Sequence, residues 1–400
     1  MKLQDYLRFR RVKNKTFAKL LNISPVSLSR YISGERFPEK EILIKIHNLT
    51  EGLVSPNDFC LQDEKNYDFN ENQQIELKKF HQHILSGSRK HLGKAITLIE
   101  SSREKDQITS EKLLELFKGN DKSIRIGITG VPGVGKSTFI ESFGMKLIRK
   151  GFKVAVLAVD PSSRFSGGSI LGDKTRMEKL SVNKNAFIRP SPSSGHLGGV
   201  AKRTSESILC LEEAGFNIIF VETMGVGQAE TEVYDMVDIF LVLLLPAGGD
   251  ELQGIKKGII EMADLIIVNK ADGELKKSAE ITQREYKNAS HIINKSRINE
   301  DIGVVICSSL NQCGFDNVWK YILKFIDIRK KNNDFNNERN SQKINRMWGL
   351  VDLKVRGLVK NLSSKKFVEE LVKNVKANNL SMYGAVKMIS NYIIRKINCL

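Results

Sequence analysis

The sequence lacks any long apolar segment and any cysteine spacing that would hold a metal or a disulfide framework. Its longest apolar run covers residues 239–245, well short of the roughly 20 residues that a membrane-spanning helix needs. The five cysteines are scattered, odd in number and without a CxxC pair, which argues against a zinc site and against secretion. No charged stretch followed by an apolar one stands at the start, so no signal peptide is predicted. We therefore expect a soluble, cytoplasmic protein without a membrane span.

The fraction of apolar residues is typical of a folded protein, and positively charged residues outnumber negatively charged ones. Apolar residues make up 41% of the 400 residues and charged residues 27%, which is enough to form two or three folded domains. The net charge is +17. Residues 1–62 hold 11 Lys/Arg against 6 Asp/Glu, and residues 321–400 hold 17 against 6, whereas the middle is nearly neutral. A basic end can attract nucleic acid or an acidic partner, although a solvated surface rich in Lys and Asn is the simpler interpretation of the C-terminal excess.

The pattern of apolar residues and helix signals divides the chain into four segments. In the first, Ser24 and Pro25 predict a helix start and Gly34 a helix stop. The last begins with a polar break over 331–343 and continues as helices, which we expect to form a dimerisation arm. The predicted segments are a helical head (1–62), a linker with N-terminal helices (63–118), an α/β domain (119–330) and a helical tail (331–400).

The third segment alternates short β-branched runs with longer amphipathic stretches. This alternation is typical of a doubly wound α/β domain with a mostly parallel sheet. Six runs are predicted to be buried strands, and they cover residues 124–129, 154–159, 218–222, 239–245, 265–269 and 304–308.

A phosphate-binding loop follows the first predicted strand. Residues 130–137 read GVPGVGKS and fit the pattern GxxxxGK[ST], in which backbone N–H groups and a helix N-terminus surround a polyphosphate. Lys136 is expected to bridge the β- and γ-phosphates, and the Ser137 hydroxyl is expected to ligate Mg²⁺. The predicted binding residues are Gly130, Val131, Pro132, Gly133, Val134, Gly135, Lys136 and Ser137. The chain is therefore predicted to bind a nucleoside triphosphate.

The base is predicted from a second motif, Asn269-Lys270-Ala271-Asp272, at the end of a later strand. The Asp272 carboxylate can accept two hydrogen bonds from the N1–H and 2-amino groups of guanine, a donor pair that adenine lacks. The segment after the next strand, Ser308, Ser309 and Leu310, is expected to close over the base. The motif favours guanine.

Three acidic residues and one glycine are expected at the γ-phosphate side. Glu222 ends a predicted strand, and Gly225 follows it with a backbone N–H that can reach the γ-phosphate. Asp160 ends another strand and Asp173 lies in the next loop, at the same predicted edge of the sheet. From position alone, the favoured interpretation of Asp160 is a cap of the following segment, and that of Asp173 is a solvated loop residue.

Seven motifs in order resemble those of the MeaB/ArgK family, P-loop GTPases associated with adenosylcobalamin-dependent acyl-CoA mutases. The resemblance covers about 75–400, and the motifs are GVPGVGKST, VDPSS, SGGSILGDKTRM, SGHLGG, VETMGVGQAE, DELQGIKKGI and NKAD. It implies that Lys136, Ser137 and Thr138 contact phosphate and Mg²⁺.

The same resemblance assigns the acidic residues and a third switch. Asp160, Asp173 and Glu222 match the family's Mg²⁺ and catalytic cluster, and Asp272 matches its guanine-reading acid. Residues 250–256 resemble a switch in which Gln253 and Lys256 respond to nucleotide and partner, with Lys256 as a catalytic candidate. Arg164 departs from the family, which usually has proline there.

Residues 16–38 resemble the helix-turn-helix of Cro/repressor-like proteins, a head that the MeaB/ArgK family does not ordinarily carry. In that interpretation Ser27, Ser29 and Arg30 face the major groove of DNA. The alternative is a helical module used for docking or oligomerisation.

Together these observations predict a Mg²⁺-dependent GTPase, binding GTP and GDP, that acts as a chaperone of an adenosylcobalamin-dependent acyl-CoA mutase of the methylmalonyl-CoA mutase type. The predicted state is a homodimer. Two alternatives remain: a nucleotide-sensing regulator that binds DNA through the head, and a metal-insertion GTPase, for which the histidines offer no ligand cluster beyond His81 and His83.

Overall fold

A computed structural model describes most of the chain, namely residues 3–33, 35–60, 71–117, 119, 122–159, 177–191, 197–223, 229–246, 257–290, 298, 301–362 and 365–398. It divides into two compact units, one formed by Met1–Asp68 with Val351–Leu400 and the other by Phe69–Leu350. Within the described ranges, no helix combines the length and the apolarity needed to cross a membrane.

The larger unit contains a seven-stranded parallel sheet, as predicted for a doubly wound α/β domain. The order of its strands is β3-β2-β4-β1-β5-β6-β7, and every neighbouring pair is parallel. The carboxyl ends of all strands therefore lie at one edge. The strands are β1 (Ile124–Gly130), β2 (Val154–Val159), β3 (Ala186–Ser191), β4 (Ile218–Thr223), β5 (Ile239–Leu244), β6 (Leu265–Val268) and β7 (Gly303–Ile306).

Strand β3 is absent from the six strands predicted from the sequence. Its residues Arg189 and Pro190 interrupt the apolar pattern, and proline is confined to positions where a strand needs no ladder hydrogen bond from its nitrogen. The sheet order explains why both are tolerated, because β3 is an edge strand that pairs with β2 alone. Arg189 pairs with the Glu100 carboxylate.

Helices cover both faces of the sheet and create two separate apolar cores. One core includes Ile96, Leu211 and Phe240, and the other includes Phe139, Phe220 and Trp319. The helices associated with this unit are α6 (Glu71–Leu85), α7 (Arg89–Glu100), α8 (Glu104–Leu114), α9 (Lys136–Arg149), α10 (Glu178–Ser181), α11 (Leu197–Glu213), α12 (Ala229–Tyr234), α13 (Lys257–Glu261), α14 (Leu275–Ser290), α15 (Phe315–Lys331) and α16 (Asp334–Leu362).

The predicted polar break over residues 331–343 is wrong, because α15 reaches Lys331 and α16 begins at Asp334. Only a two-residue turn separates them, and Asn333 in this turn has a left-handed φ of 62°. Some polar residues of α16 bind buried partners in the body of the larger unit. Arg339 is 2% exposed and donates to both carboxylate oxygens of Asp238, at 2.8 and 2.7 Å.

Asp238 stands at the centre of this buried ionic network. Its carboxylate also accepts from the backbone nitrogen of Arg125 at 2.8 Å, and the Arg125 guanidinium forms two bonds of 2.8 Å to Glu212. Burial by itself would raise the pKa of Asp238, but the hydrogen bonds from Arg339 and the charges of both arginines lower it below its ordinary value. The network fixes the start of α16 to the base of β1 and β5.

In the part of the chain that the structure describes, the smaller unit contains five N-terminal helices, the end of α16 and two C-terminal helices. The N-terminal helices share an apolar core that includes Phe17, Leu28 and Ile46. In the tail, the rings of Phe367 and Tyr392 stack with centroids 4.8 Å apart. These helices are α1 (Leu3–Phe9), α2 (Asn14–Leu21), α3 (Pro25–Ile32), α4 (Lys40–Leu49), α5 (Asn57–Cys60), α17 (Lys365–Lys376) and α18 (Met382–Asn398).

Candidate functional site

The phosphate loop connects β1, which ends at Gly130, with α9, which begins at Lys136. Two of its glycines have no room for a side chain. A Cβ on Gly130 would lie 2.5 Å from the Leu243 carbonyl oxygen, and one on Gly135 would lie 3.0 Å from Asn269 Nδ2. Gly135 also has a φ of 91°, a conformation that glycine adopts readily and other residues rarely. The GxxxxG spacing therefore follows from the close approach of β5 and of the NKAD motif, residues 269–272.

Lys136 lies inside this loop, and its side chain is almost fully buried. Its Nζ donates to the carbonyl oxygens of Gly130 at 2.6 Å and Val131 at 3.2 Å. Burial lowers the pKa of Lys136, and the negative charges of Glu222 and Glu230 partly offset that decrease. The ammonium group is thus held beside the loop backbone that is expected to surround the phosphates.

Ser137 and Glu222 meet at the start of α9. The Ser137 hydroxyl donates to Glu222 Oε1 at 3.1 Å, and Glu222 pairs with Ile128 in the register of β4 and β1. A hydroxyl and a carboxylate are the hard oxygen ligands that Mg²⁺ prefers, so this pair fits the predicted metal site. Across the described ranges, no group of three or more His, Cys, Asp or Glu side chains is arranged to hold a metal.

Asn269, the first residue of the NKAD motif, connects the P-loop with the segment that follows β7. The side chain is buried, and its Nδ2 donates to the Val134 carbonyl oxygen at 2.9 Å. Its Oδ1 accepts from the backbone nitrogen of Ser309 at 3.1 Å and from the Ser309 hydroxyl at 2.7 Å. One amide therefore fixes the relative position of three loops: the P-loop, the NKAD motif and the segment after β7.

Asp272 projects from the same region and is half-buried. Its carboxylate accepts a hydrogen bond from the Ser308 hydroxyl, while Lys270, with a left-handed φ of 57°, turns the chain between Asn269 and Asp272. Leu310 is 76% exposed beside this carboxylate-bearing loop. The arrangement orients a carboxylate at the carboxyl edge of the sheet and leaves an apolar side chain able to cover a flat base.

Some predicted site residues lie outside the described ranges, so their placement stays a prediction. These residues are Asp160, Asp173, Gly225 and Lys256, together with Arg164 and Gln253 of the neighbouring motifs. Among the described ones, the structure brings together the P-loop, Ser137, Glu222, Asn269, Asp272 and Ser309. Pro132 and Gly133 of the loop and Thr138 of α9 are exposed.

Sequence reasoning missed two residues near the site. Glu230 on α12 is buried, and its charge acts on Lys136. Cys307, at the end of β7, is buried, and its Sγ donates to Asn269 Oδ1 at 3.4 Å. Glu230 is the last residue of the VETMGVGQAE motif, which was the available signal for it, whereas nothing in the local sequence distinguishes Cys307.

In the head, the predicted DNA-contacting residues lie on or beside the exposed surface of α3. Ser29 and Arg30 are exposed, and Arg30 Nε lies 4.0 Å from Glu35 Oε2. Ser27 is half-buried, and its backbone nitrogen donates to the N-cap hydroxyl of Ser24 at 3.0 Å.

Comparison of the sequence with known proteins points to one family. The model of the methylmalonyl-CoA mutase-associated GTPase MeaB matches residues 92–364. The GTPase ArgK of Escherichia coli is 43% identical over 314 residues, which are 78% of this chain and 94% of that protein. The mouse methylmalonic aciduria type A homolog, a mitochondrial protein, is 45% identical over 279 residues, or 67% of each chain.

A solved structure agrees with these relatives. The crystal structure of an LAO/AO transport system kinase superposes with a TM-score of 0.62 at 35% identity, over 81% of this chain and 98% of that one. The superposition therefore shows that the parallel sheet with its flanking helices is a fold shared with that structure. The chain is a P-loop GTPase and belongs to the MeaB family of methylmalonyl-CoA mutase-associated GTPases.

Proposed function

We propose that this GTPase is a Mg²⁺-dependent chaperone of an adenosylcobalamin-dependent acyl-CoA mutase of the methylmalonyl-CoA mutase type. The observation that carries the proposal is the match of residues 92–364 to a family described by its association with that mutase. The name of the mouse relative, which refers to methylmalonic aciduria, supports the same partner class.

The proposed chemistry is in-line attack of water on the γ-phosphate of GTP, driven by positioning and charge neutralisation. Lys136 places a buried cation where negative charge develops on the β- and γ-phosphates. Ser137 and Glu222 would hold Mg²⁺, which neutralises phosphate charge when bound. Asp272 and Asn269 fix the base and thereby the distance from the base to the phosphates. Slow turnover in isolation is expected, since no side chain of the described site stands out as a base for water.

We further propose that the chain forms a homodimer through α16. Exposed apolar residues follow one another on this helix at intervals of four, three and four residues: Ile344, Trp348, Val351 and Val355, with Trp348 59% exposed. Such spacing is typical of a coiled-coil seam. A second copy of the helix would cover these side chains.

A binding measurement with the purified mutase of the same organism tests the proposed partnership. We expect the two proteins to form a complex whose affinity changes at least about fivefold between GDP and a non-hydrolysable GTP analogue, since coupling energies of that size are usual. With Lys136→Ala the nucleotide dependence should vanish while the complex persists. Absence of a complex in both nucleotide states would contradict the proposed partnership.

Light scattering of the free chain tests the proposed homodimer and should give twice the 45.1 kDa mass.

A second candidate function, DNA binding by the head, is favoured by the arrangement of α2 and α3. Ser24 caps α3, with its hydroxyl accepting from Ser27 at 3.0 Å, and the turn between the helices contains Asn22 in a left-handed conformation with φ of 57°. In this arrangement Ser29 and Arg30 of α3 are exposed, as the contact residues of a recognition helix would have to be.

The DNA hypothesis predicts a sequence preference that depends on Arg30. A random-sequence selection with the full chain at moderate salt should enrich one site, because base contacts persist where phosphate contacts weaken. Arg30→Ala should then reduce the preference by about 1–3 kcal/mol. Arg36→Ala, which removes an equal charge outside α3, should leave the preference intact. If no site is enriched, the head is a docking module.

A further inference from the structure

Positive side chains from three separate segments meet at the amino edge of the sheet. Lys153 directly precedes β2, and Lys184 lies two residues before β3. The turn between α6 and α7 lies beside them, because Lys153 Nζ is 3.9 Å from the position that a Cβ of Gly87 would take. Arg89, two residues further along, donates to the carbonyl oxygen of Asn183, the neighbour of Lys184, at 2.9 Å. Since all the strands are parallel, this edge lies opposite the one that carries the P-loop and the NKAD motif.

No acidic residue balances these charges within the contributing segments. Residues 77–99 hold five Lys/Arg, residues 142–159 hold four and residues 179–191 hold three, and none of these ranges contains Asp or Glu. The middle of the chain is nearly neutral overall, so its positive charge is concentrated rather than spread evenly. A concentration of one sign of charge raises the potential at that surface and attracts the opposite sign.

Four of these cations form what we call the amino-edge cluster: Arg89, Lys90, Lys153 and Lys184. All four are exposed, and none of them forms an ion pair with a carboxylate in the part of the chain that the structure describes. Arg89 and Lys90 also lie in the first turn of α7, where the helix dipole disfavours positive charge. The local fold therefore gains little from grouping these cations, which is the pattern expected when a partner supplies the opposite charge.

Two exposed aliphatic side chains accompany the amino-edge cluster. Leu85 at the end of α6 is 53% exposed, and Val182, the residue before Asn183, is 83% exposed. Cations alone would suit a nucleic acid, which binds through its phosphates, but bases stack on aromatic side chains rather than aliphatic ones. Apolar side chains bordered by charged ones are typical of protein–protein interfaces. The cluster and its neighbours therefore fit a protein surface that is acidic and carries apolar residues.

We propose that the amino-edge cluster docks an acidic surface of the partner mutase, at the edge of the sheet opposite the nucleotide. The inference rests on the mutase partnership proposed above and adds a surface that carries it. Contact at this edge leaves the P-loop and the NKAD motif uncovered, so nucleotide can be exchanged while the partner stays bound. The cluster therefore supplies a part of the affinity that is the same with GDP and with GTP, in addition to the part that the nucleotide changes.

The test measures binding of the purified full chain to the purified mutase of the same organism by calorimetry, with GDP and with a non-hydrolysable GTP analogue. The variant Lys153→Glu/Lys184→Glu reverses two charges of the cluster. It should bind the mutase at least about tenfold more weakly than the wild type, by the same factor with either nucleotide, since the reversed charges face an acidic surface. Raising the salt concentration from about 50 to about 300 mM should weaken the wild-type complex and bring the two affinities closer together.

Lys105→Glu/Lys320→Glu is the matched control, because it reverses two exposed lysines of α8 and α15 that lie outside the cluster. It should leave the affinity for the mutase within about twofold of the wild type. The cluster variant should also hydrolyse GTP within about twofold of the wild-type rate, since exposed charges at the opposite edge are screened from the phosphates. If it loses turnover, Lys153→Gln/Lys184→Gln takes its place, and this milder variant should bind the mutase at least about threefold more weakly.

Each contrary outcome has a separate meaning. An unchanged affinity of the cluster variant, or an equal loss in the control, would overturn the docking surface and leave the mutase partnership standing. A loss confined to one nucleotide state would contradict a contact that is independent of nucleotide. Absence of a complex with the wild type would refute the partnership and this inference together. If the cluster variant instead loses only the retention of a random DNA duplex, the cluster binds nucleic acid and the proposal is wrong.

Discussion

Asp272→Asn is expected to lower the affinity for GDP at least about 100-fold, because one hydrogen bond to a charged acceptor is lost and the other is weakened. The carboxylate can accept from both the N1–H and the 2-amino group of guanine, whereas an amide offers one acceptor and directs its own N–H donors at the second group. Xanthine carries an oxygen in place of the 2-amino group. The variant should therefore bind xanthosine diphosphate more tightly than the wild type does.

Competition against a fluorescent GDP analogue measures both affinities in one assay. Glu274→Gln is the matched control, since Glu274 lies two residues further along the chain, is exposed and loses the same charge. It should leave both affinities within about twofold of the wild type, as expected for an exposed group. An Asp272→Asn variant that still prefers GDP would show that another residue reads the base.

Lys136→Ala is expected to reduce GTP turnover by at least about 100-fold and to weaken GTP binding, because it removes the charge that neutralises the β- and γ-phosphates. The Nζ atom lies 2.6 Å from the Gly130 carbonyl oxygen, so the charge that is removed stands directly at the loop backbone. The loss should be larger for turnover than for binding, since negative charge on the bridging oxygen increases in the transition state.

Single-turnover hydrolysis and equilibrium binding separate the two effects. Arg149→Ala removes a cation from the exposed last turn of the same helix, where the guanidinium contacts Gln312 at 3.1 Å. That control should retain the wild-type rate within about twofold, since an exposed charge at the far end of α9 is screened from the phosphates. Should Lys136→Ala turn over GTP at the wild-type rate, the buried lysine has no role in the chemistry.

The features that were predictable from the sequence have local signals. Six strands, the P-loop and the NKAD motif follow from apolar runs bounded by glycine and polar residues, and the predicted α/β architecture is confirmed. The helix start at Ser24 is also found, with its hydroxyl accepting from the Ser27 nitrogen. In each case the residues that determine the structure are neighbours in the chain.

The features that were missed depend on partners distant in sequence. Strand β3 tolerates Pro190 because of its place at the sheet edge, and the polar start of α16 is helical because Arg339 reaches Asp238, about one hundred positions earlier. Polar residues that bind buried partners resemble a linker when only their neighbours in the sequence are considered. The same reasoning applies to Asn269, whose amide connects loops that the sequence places 135 residues apart.

The central claim is that one site, built from the P-loop and the NKAD motif, binds and hydrolyses guanine nucleotides. Parallel hydrolysis of GTP and ATP by the purified wild-type chain, at matched concentrations and in magnesium, tests it most directly. The account predicts release of phosphate from GTP at a rate at least about tenfold higher than from ATP, because adenine offers Asp272 no donor pair. Equal hydrolysis of the two nucleotides would contradict it.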